Sequence, residues 1–229
     1  MQLEKVTKTR KGEEKRRYDD ACGLAHALDL IGERWAMLVL RELAYGPRRF
    51  SELKADLPGI SANVLSQRLA ELEERSLVRR VRLPPPASVQ VYEATEWGLE
   101  AVPIIASLGR WAARSPLHDP TLPMSHVSFI MSLQTLLSPE LSRGIDARIG
   151  FKLGNVGYVT TLRDGQLAVE RRDPEGCDVT FTGTPMQLVA AVHGGLGLET
   201  IGVEGDMELA KRFITLFPLP PKVASGKVA

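Results

Sequence analysis

Cysteine is almost absent from this 229-residue chain: Cys22 and Cys177 lie far apart, and neither belongs to a CxxC pair. That spacing suggests neither a disulfide framework nor a paired-ligand zinc site, and both residues are expected to be reduced thiols. No apolar run approaches the roughly 20 residues that cross a bilayer. The first residues are charged rather than a short basic start to an apolar core, so neither a membrane partner nor a secretory leader is expected, and the protein should stay in the cytoplasm. Charge of one sign is not in excess either. The formal net charge is +1, slightly basic before residue 116 and slightly acidic after it, which permits an anionic partner for the first half without demanding one. Internal repeats are missing. So are a GxSxG signal and any nucleophile or carboxylate at motif spacing from His126 or His193, so no enzyme, cofactor or metal site is expected.

What is present is an ordinary soluble balance, 44% hydrophobic and 25% charged, in a chain long enough for two modest domains. Residues 1–20 carry dense charge of both signs and read as a flexible, solvated arm. The segment SPLHDPTLP, residues 115–123, has three prolines in nine positions. They forbid a continuous helix and mark a linker between residues 21–114 and 124–229. In the first of these units Leu24, Leu28, Ile31, Trp35 and Leu38 recur at helical steps as a buried stripe, which Gly32 kinks or divides. Phe50, Leu53 and Leu57 make a short second helix that stops at Pro58-Gly59. Ser61 is placed to cap a third, with Leu65, Leu69 and Leu72 inward. LVRRVRL and VQVYEAT then read as strands joined across Pro84 to Ser88, and Thr95 caps a last helix kinked at Pro103, on which Trp97, Ala101, Ile105, Leu108 and Ala112 share a face.

A helix, a turn, a polar-faced helix and a basic hairpin in that order make a winged helix-turn-helix. With Leu65 inward, Asn63, Ser66 and Gln67 lie outward or between the faces at the start of the third helix. That is the part of a recognition helix that meets base edges in the major groove, where Asn and Gln can pair with adenine. Glu71, Glu73 and Glu74 mark the end that should face away from the polyanion. Arg79, Arg80 and Arg82 follow, with Arg80 and Arg82 on one strand face, spaced to straddle phosphates. Taken singly, each of these is as readily an exposed surface residue, and Arg68 either grips phosphate or pairs with Glu71.

Residues 22–114 resemble the HxlR family of bacterial transcriptional regulators. The runs CGLAHALDLIGERWAMLVLREL, GPRRFSELKADLPGISANVLSQRLAELEERSLV and YEATEWG follow its pattern. The resemblance implies a homodimer on an inverted repeat in double-stranded DNA. It places the helix from Ser61 to Arg75 in the major groove and the Arg79–Tyr92 hairpin as wing, and it builds the dimer interface from the segment at Cys22 and from Leu99 to Arg114. The DNA-contacting candidates are thus Ser61, Asn63, Ser66, Gln67, Arg68, Arg79, Arg80 and Arg82. Some relatives sense oxidants through a cysteine near the N-terminus, which makes Cys22 a redox candidate. Read from the residues, it is instead a small buried hydrophobe, with His26 the only local group to activate it.

From Gly144 the period changes to two: Ile145, Ala147, Ile149, Phe151 and Leu153 alternate with polar residues and glycine. VGYVTTL, QLAVERR and DVTFTGT continue as strands, Pro185 opens an apolar helix, and a strand, a turn and a final helix follow. The implied α+β class is a winged helix-turn-helix followed by a sheet with helices on one face. The run DVTFTGTPMQLVAAVHGGLGLETIGVEGDMELAKRFITLF resembles the sterol-carrier-protein type 2-like domain, with helix starts at Gly183–Pro185 and Glu204–Asp206. That resemblance implies an apolar pocket for a fatty or sterol-like effector. Met131, Met186 and Met207 are expected as core filling, and His193 as a residue at a helix C-terminus. The expected function is a repressor released by a hydrophobic small molecule. The alternative is a constitutive or Cys22-controlled regulator whose second unit is structural or dimerising.

Overall fold

The computed structural model describes residues 18–224, so the expected arm of residues 1–20 lies, but for its last three residues, outside the described residues. In the first half α1 (Gly23–Ile31), α2 (Ala36–Glu42), α3 (Phe50–Asp56) and α4 (Ala62–Glu74) precede an antiparallel hairpin of β1 (Val78–Arg82) and β2 (Gln90–Ala94), followed by α5 (Glu96–Ala112). The α1–α2 break falls where Gly32 was expected to divide the stripe: it caps α1, and Trp35 starts α2 at φ 80°. Ala36, Val39, Leu40, Leu53, Leu65, Leu69, Leu72 and Val78 bury together as one core. One part of the stripe reading is corrected. Leu24, Leu28 and Leu38 are 69%, 41% and 37% exposed, because α1 turns Ala25, Leu30 and Ile31 inward and the break after Ile31 sets α2 on a different face, with Val39 and Leu40 buried in place of Leu38. On α5, too, Ala101 and Ile105 are buried while Trp97, Leu108 and Ala112 are exposed.

The second half begins with α6 (His126–Leu136) and continues through β3 (Ala147–Leu153), β4 (Val156–Arg163), β5 (Gln166–Glu170), β6 (Val179–Gly183), α7 (Pro185–His193), β7 (Gly202–Gly205) and α8 (Met207–Phe213). The strands form a five-stranded sheet in the order β5-β4-β3-β6-β7, antiparallel except for the β3–β6 pair. The period-two reading holds on β3, whose Ala147, Ile149, Phe151 and Leu153 all face the helices, although the strand starts at Ala147 and leaves the buried Ile145 in the preceding turn. Phe151 sits between Tyr158 on β4 and Phe181 on β6. Behind it Phe129, Phe213 and Phe217 close an aromatic cluster with ring centroids 4.9 to 6.0 Å apart. Such rings add roughly 0.5–1.5 kcal/mol per pair beyond their burial. They fill the space between sheet and helices.

The two cores meet at α6, which buries residues on most sides: Phe129, Ile130 and Leu133 turn to the sheet, whereas Met131 joins the first core. Gln134 is the one exposed residue of α6, and a helix covered on most sides carries apolar residues on most sides. Met131 is core filling as expected, but Met207 is 44% exposed at the start of α8. Since β5 and β6 lie on opposite sides of β3 and β4, the loop between them must cross the sheet. It does so over Gly157 and Gly150, where an added Cβ would come within 2.6 Å of the Arg172 carbonyl oxygen and of Pro174.

α5 approaches β1 as closely. A Cβ on Gly98 would lie 2.0 Å from the Leu77 carbonyl oxygen, a backbone atom that already accepts from the Thr95 amide. Gly98→Ala is therefore expected to cost about 1–3 kcal/mol, as overpacking does in well-filled cores. A urea midpoint equal to that of the wild type would contradict this.

Candidate nucleic-acid interface and the seam behind it

Ser61 caps α4: its extended backbone (φ −81°, ψ 157°) turns the hydroxyl back to accept from the Val64 amide at 3.2 Å. Beyond the cap, Asn63, Ser66 and Gln67 are exposed while Leu65, Leu69 and Leu72 are buried, the division that the helical period predicts. Asn63 and Ser66 have no side-chain hydrogen bond among the described residues, and the Gln67 amide donates to Glu71 at 3.0 Å. The first two turns of α4 thus present neutral donors and acceptors to solvent.

Charge next to them is arranged differently from the expectation. Arg68 is 7% exposed and its guanidinium is held by Glu71 and, at 3.6 Å, by Glu33, so it belongs to the scaffold and not to the outward face. The 100° step from buried Leu65 and Leu72 carries it under the helix edge, where burial requires pairing. Arg79 reaches Glu93 across the hairpin, and Arg80 reaches Glu73 at 3.1 Å while lying 5.6 Å from the centre of the Tyr92 ring. Of the three, Arg82 alone makes no ion pair among the described residues. The acidic end of α4 is therefore occupied in part by the wing itself. Both wing pairs are exposed, and such pairs are worth roughly 0.2–1 kcal/mol, little enough for phosphate to displace the carboxylate. Arg80, Arg82, Ser88 and Gln90 line a basic hollow of about 410 Å³.

The interface is backed by a polar seam that the sequence reading missed, because its members stand 42 to 171 along the chain without motif spacing. Arg48, 2% exposed, sits in the α2–α3 turn. Its backbone pairs with β2 in both directions, N–H to carbonyl with Tyr92 at 2.8 Å each, adding a one-residue rung to the wing. Its guanidinium binds Asp56 at the end of α3 and meets His126 of α6, Nη1 to Nε2, at 3.2 Å. Glu52 at 3.6 Å and the buried Glu42 at 3.9 Å contribute charge without a hydrogen bond. Glu42 is held by Ser125 at 2.8 Å and by Arg41. His126 Nδ1 lies 2.6 Å from the Tyr158 hydroxyl, and Arg171, from the loop over the sheet, donates to the Pro47 carbonyl at 3.2 Å. Burial pushes the Tyr158 phenol well above its usual range, so its proton stays on.

Elsewhere the expected site residues are placed plainly. Cys22 is an exposed free thiol preceding α1, which corrects its reading as a buried hydrophobe. His193 ends α7 as expected, but burial lowers its pKa and leaves it neutral, so it adds no charge to the helix end. A hollow of about 680 Å³ in the second half is a groove lined by Asp146, Asp178, Asp206, Glu208 and Arg212 together with Ile145 and Leu209, not an apolar chamber.

This arrangement of capped helix and hairpin defines a class, the helix-turn-helix proteins. The HxlR-like helix-turn-helix profile matches residues 30–118, and the chain belongs to that family. It is 38% identical over 86 residues to the uncharacterized HTH-type transcriptional regulator YvaP of Bacillus subtilis, spanning 38% of this chain and 80% of that protein. With the HTH-type transcriptional regulator YodB of the same organism it shares 36% identity over 86 residues, 38% of this chain and 77% of YodB. A solved structure of reduced YodB aligns at 33% identity over 43% of this chain and 98% of that one, with a TM-score of 0.38. The profile ends before α6.

The Asp56 carboxyl titrates unusually. Burial alone would raise its pKa, but hydrogen bonds from His126 and Arg48 and their positive charge overcome that and lower it. A carboxylate with a depressed folded-state pKa stabilises the fold above its unfolded value and loses that contribution as pH falls through the folded one. Asp56→Asn should therefore be destabilised against the wild type at neutral pH, with the gap closing below about pH 4. Denaturant midpoints across that range test this; a gap independent of pH would refute it.

Proposed function

We propose that this protein is a dimeric DNA-binding transcriptional regulator, acting most simply as a repressor at an inverted-repeat operator. The observation that carries the reading is the outward face of α4, where Asn63, Ser66 and Gln67 stand exposed behind the Ser61 cap, with Arg80 of the wing at its far end and Arg82 exposed on the same strand. Asn63, Ser66 and Gln67 read base edges. Ser61 presents the helix N-terminus to phosphate, and Arg79, Arg80 and Arg82 bind the backbone after the wing pairs open. Family membership supports the same reading, since the relatives named above are transcriptional regulators.

Dimerisation is supported by the exposed apolar residues of two helices: Leu24 and Leu28 on α1, and Ile104, Leu108 and Trp111 on α5, of which Trp111 is 71% exposed. Large apolar side chains in such number on two helices suit a partner surface. The chain works as two units in this reading, residues 21–114 and 124–229 joined by residues 115–123. The second unit, sterol-carrier-like by its sequence, is the place for an apolar effector. A coupling of about 1–3 kcal/mol between effector and operator would change DNA affinity roughly 5- to 150-fold. The packed phenylalanine cluster favours a second reading, in which this unit is a structural module without a ligand. Exposure of Cys22 keeps redox control available to either.

On a duplex selected from random sequence, Gln67→Ala should relax base preference and lose about 1–3 kcal/mol, whereas Arg82→Ala should weaken all sequences alike and lower the salt slope by about 1. Equal behaviour of the two variants in fluorescence anisotropy would contradict this division. Trp111→Glu should shift the protein from dimer to monomer in sedimentation velocity while leaving the thermal midpoint of the monomer fold intact. A dimer that survives the substitution would remove α5 from the interface.

A further inference from the structure

The seam joins parts of the molecule that the DNA-binding reading keeps separate. Asp56 is the last residue of α3, five positions before the Ser61 cap of the proposed recognition helix, so its carboxylate anchors the start of the helix-turn-helix turn. Arg48 holds that carboxylate with its side chain and holds Tyr92 of the wing with its backbone. Both are then met by one imidazole from the second half of the chain, whose other nitrogen rests on Tyr158 of β4.

While this imidazole is neutral its donor inventory allows two arrangements, and when it is protonated both nitrogens donate, Nε2 to Asp56 and Nδ1 to Tyr158. Nε2 lies 3.2 Å from Arg48 Nη1 and 3.3 Å from Asp56 Oδ2. Arginine only donates and a carboxylate only accepts, so Nε2 serves Arg48 with its lone pair or Asp56 with a proton, never both. In the neutral ring, Nδ1 carries the proton in the first case and donates to the Tyr158 oxygen. In the second, Nδ1 accepts from the Tyr158 hydroxyl. The orientation of one hydroxyl on β4 is thereby read as a choice between the residue tied to the wing and the residue tied to the turn.

We infer that Arg48, Asp56, His126 and Tyr158 form a coupling device that transmits the position of β4 and α6 in the second half to the turn before α4 and to the wing. Arg171 reinforces it from the loop over the sheet, holding the Pro47 carbonyl and lying 3.7 Å from Glu52. The cluster is suited to this because Arg48 and His126 are buried and Asp56 is half-buried: displacing Asp56 leaves the guanidinium without its ion-pair partner, and displacing Tyr158 or His126 leaves a buried polar group without its hydrogen bond, so the members move together. The inference rests on the proposed assignment of α4 and the wing as the DNA-contacting elements. It goes beyond it by naming the path along which the second half acts on them.

Two variants of the full chain test the device. Tyr158→Phe removes one hydroxyl and leaves the ring against Tyr45 and His126; His126→Phe keeps an aromatic ring and removes both nitrogens. Hydrogen exchange read by mass spectrometry should show amides of residues 47–61 and 90–94 exchanging about fivefold faster than in the wild type, the factor that matches loss of one typical buried hydrogen bond. Residues 65–72 and 147–153 should stay unchanged in the same samples. Faster exchange confined to α6 and β4, or uniform across the chain, would overturn the inference, the second because it reports general loosening. Anisotropy with a mixed-sequence duplex at low salt separates this from the DNA-binding reading. Failure of the wild type to bind would sink that reading alone, while spread of exchange into residues 47–61 and 90–94 would still support the coupling.

Discussion

A guanidinium removed from water must be paired, and the buried Arg48 organises the molecule around that requirement. Its partners come from α2, α3 and α6, and its backbone is shared with the wing. Each partner is in turn held by another group: Glu42 by Ser125 and Arg41, His126 by Tyr158, Glu52 by Arg171. The helix-turn-helix and the sheet are thus joined through charge compensation as well as through apolar contact. A purely apolar seam would tolerate sliding; this one fixes direction, since hydrogen bonds weaken steeply off their line.

The apolar side of the junction is α6. It offers Phe129, Ile130 and Leu133 to the sheet and Met131 to the helices, so neither core closes without it. The expected linker of residues 115–123 leads into α6 under restraint. Lys222 of the C-terminal segment donates to the carbonyls of Ala113 and Ser115 at 3.0 Å, placing a cation on the end of α5. The two expected units are therefore connected at three places: the polar seam, α6, and this strap.

Much of the fold was legible in the residues because it follows local periods. Leu65, Leu69 and Leu72 fix the inward side of α4, Ser61 its start, and the alternation from Ala147 to Leu153 fixes β3. The same periods misplaced Leu24 and Leu28, since a stripe says that a face wants cover without saying whether the cover lies in the same chain. The sequence leaves Arg68 open between phosphate and Glu71 and misplaces Cys22 as buried, for a related reason. Arg68 stands at the stripe's edge, where a few degrees of rotation decide between solvent and core, and Cys22 precedes its helix by one residue. The polar seam carried no signal at all. Glu42, Arg48, Asp56, His126 and Arg171 look like scattered surface polar residues, and Tyr158 like a strand aromatic, until folding brings them together.

The sequence by itself determined the secondary elements, the family of the first half, and the polar outward face of α4, because each depends on residues within a few turns of one another. Only the tertiary structure decided which arginines are free and which are committed. Burial and pairing depend on elements far apart in the chain, so Arg68 falls to the scaffold, Arg80 to Glu73 and Arg48 to the seam, while Arg82 is left facing solvent.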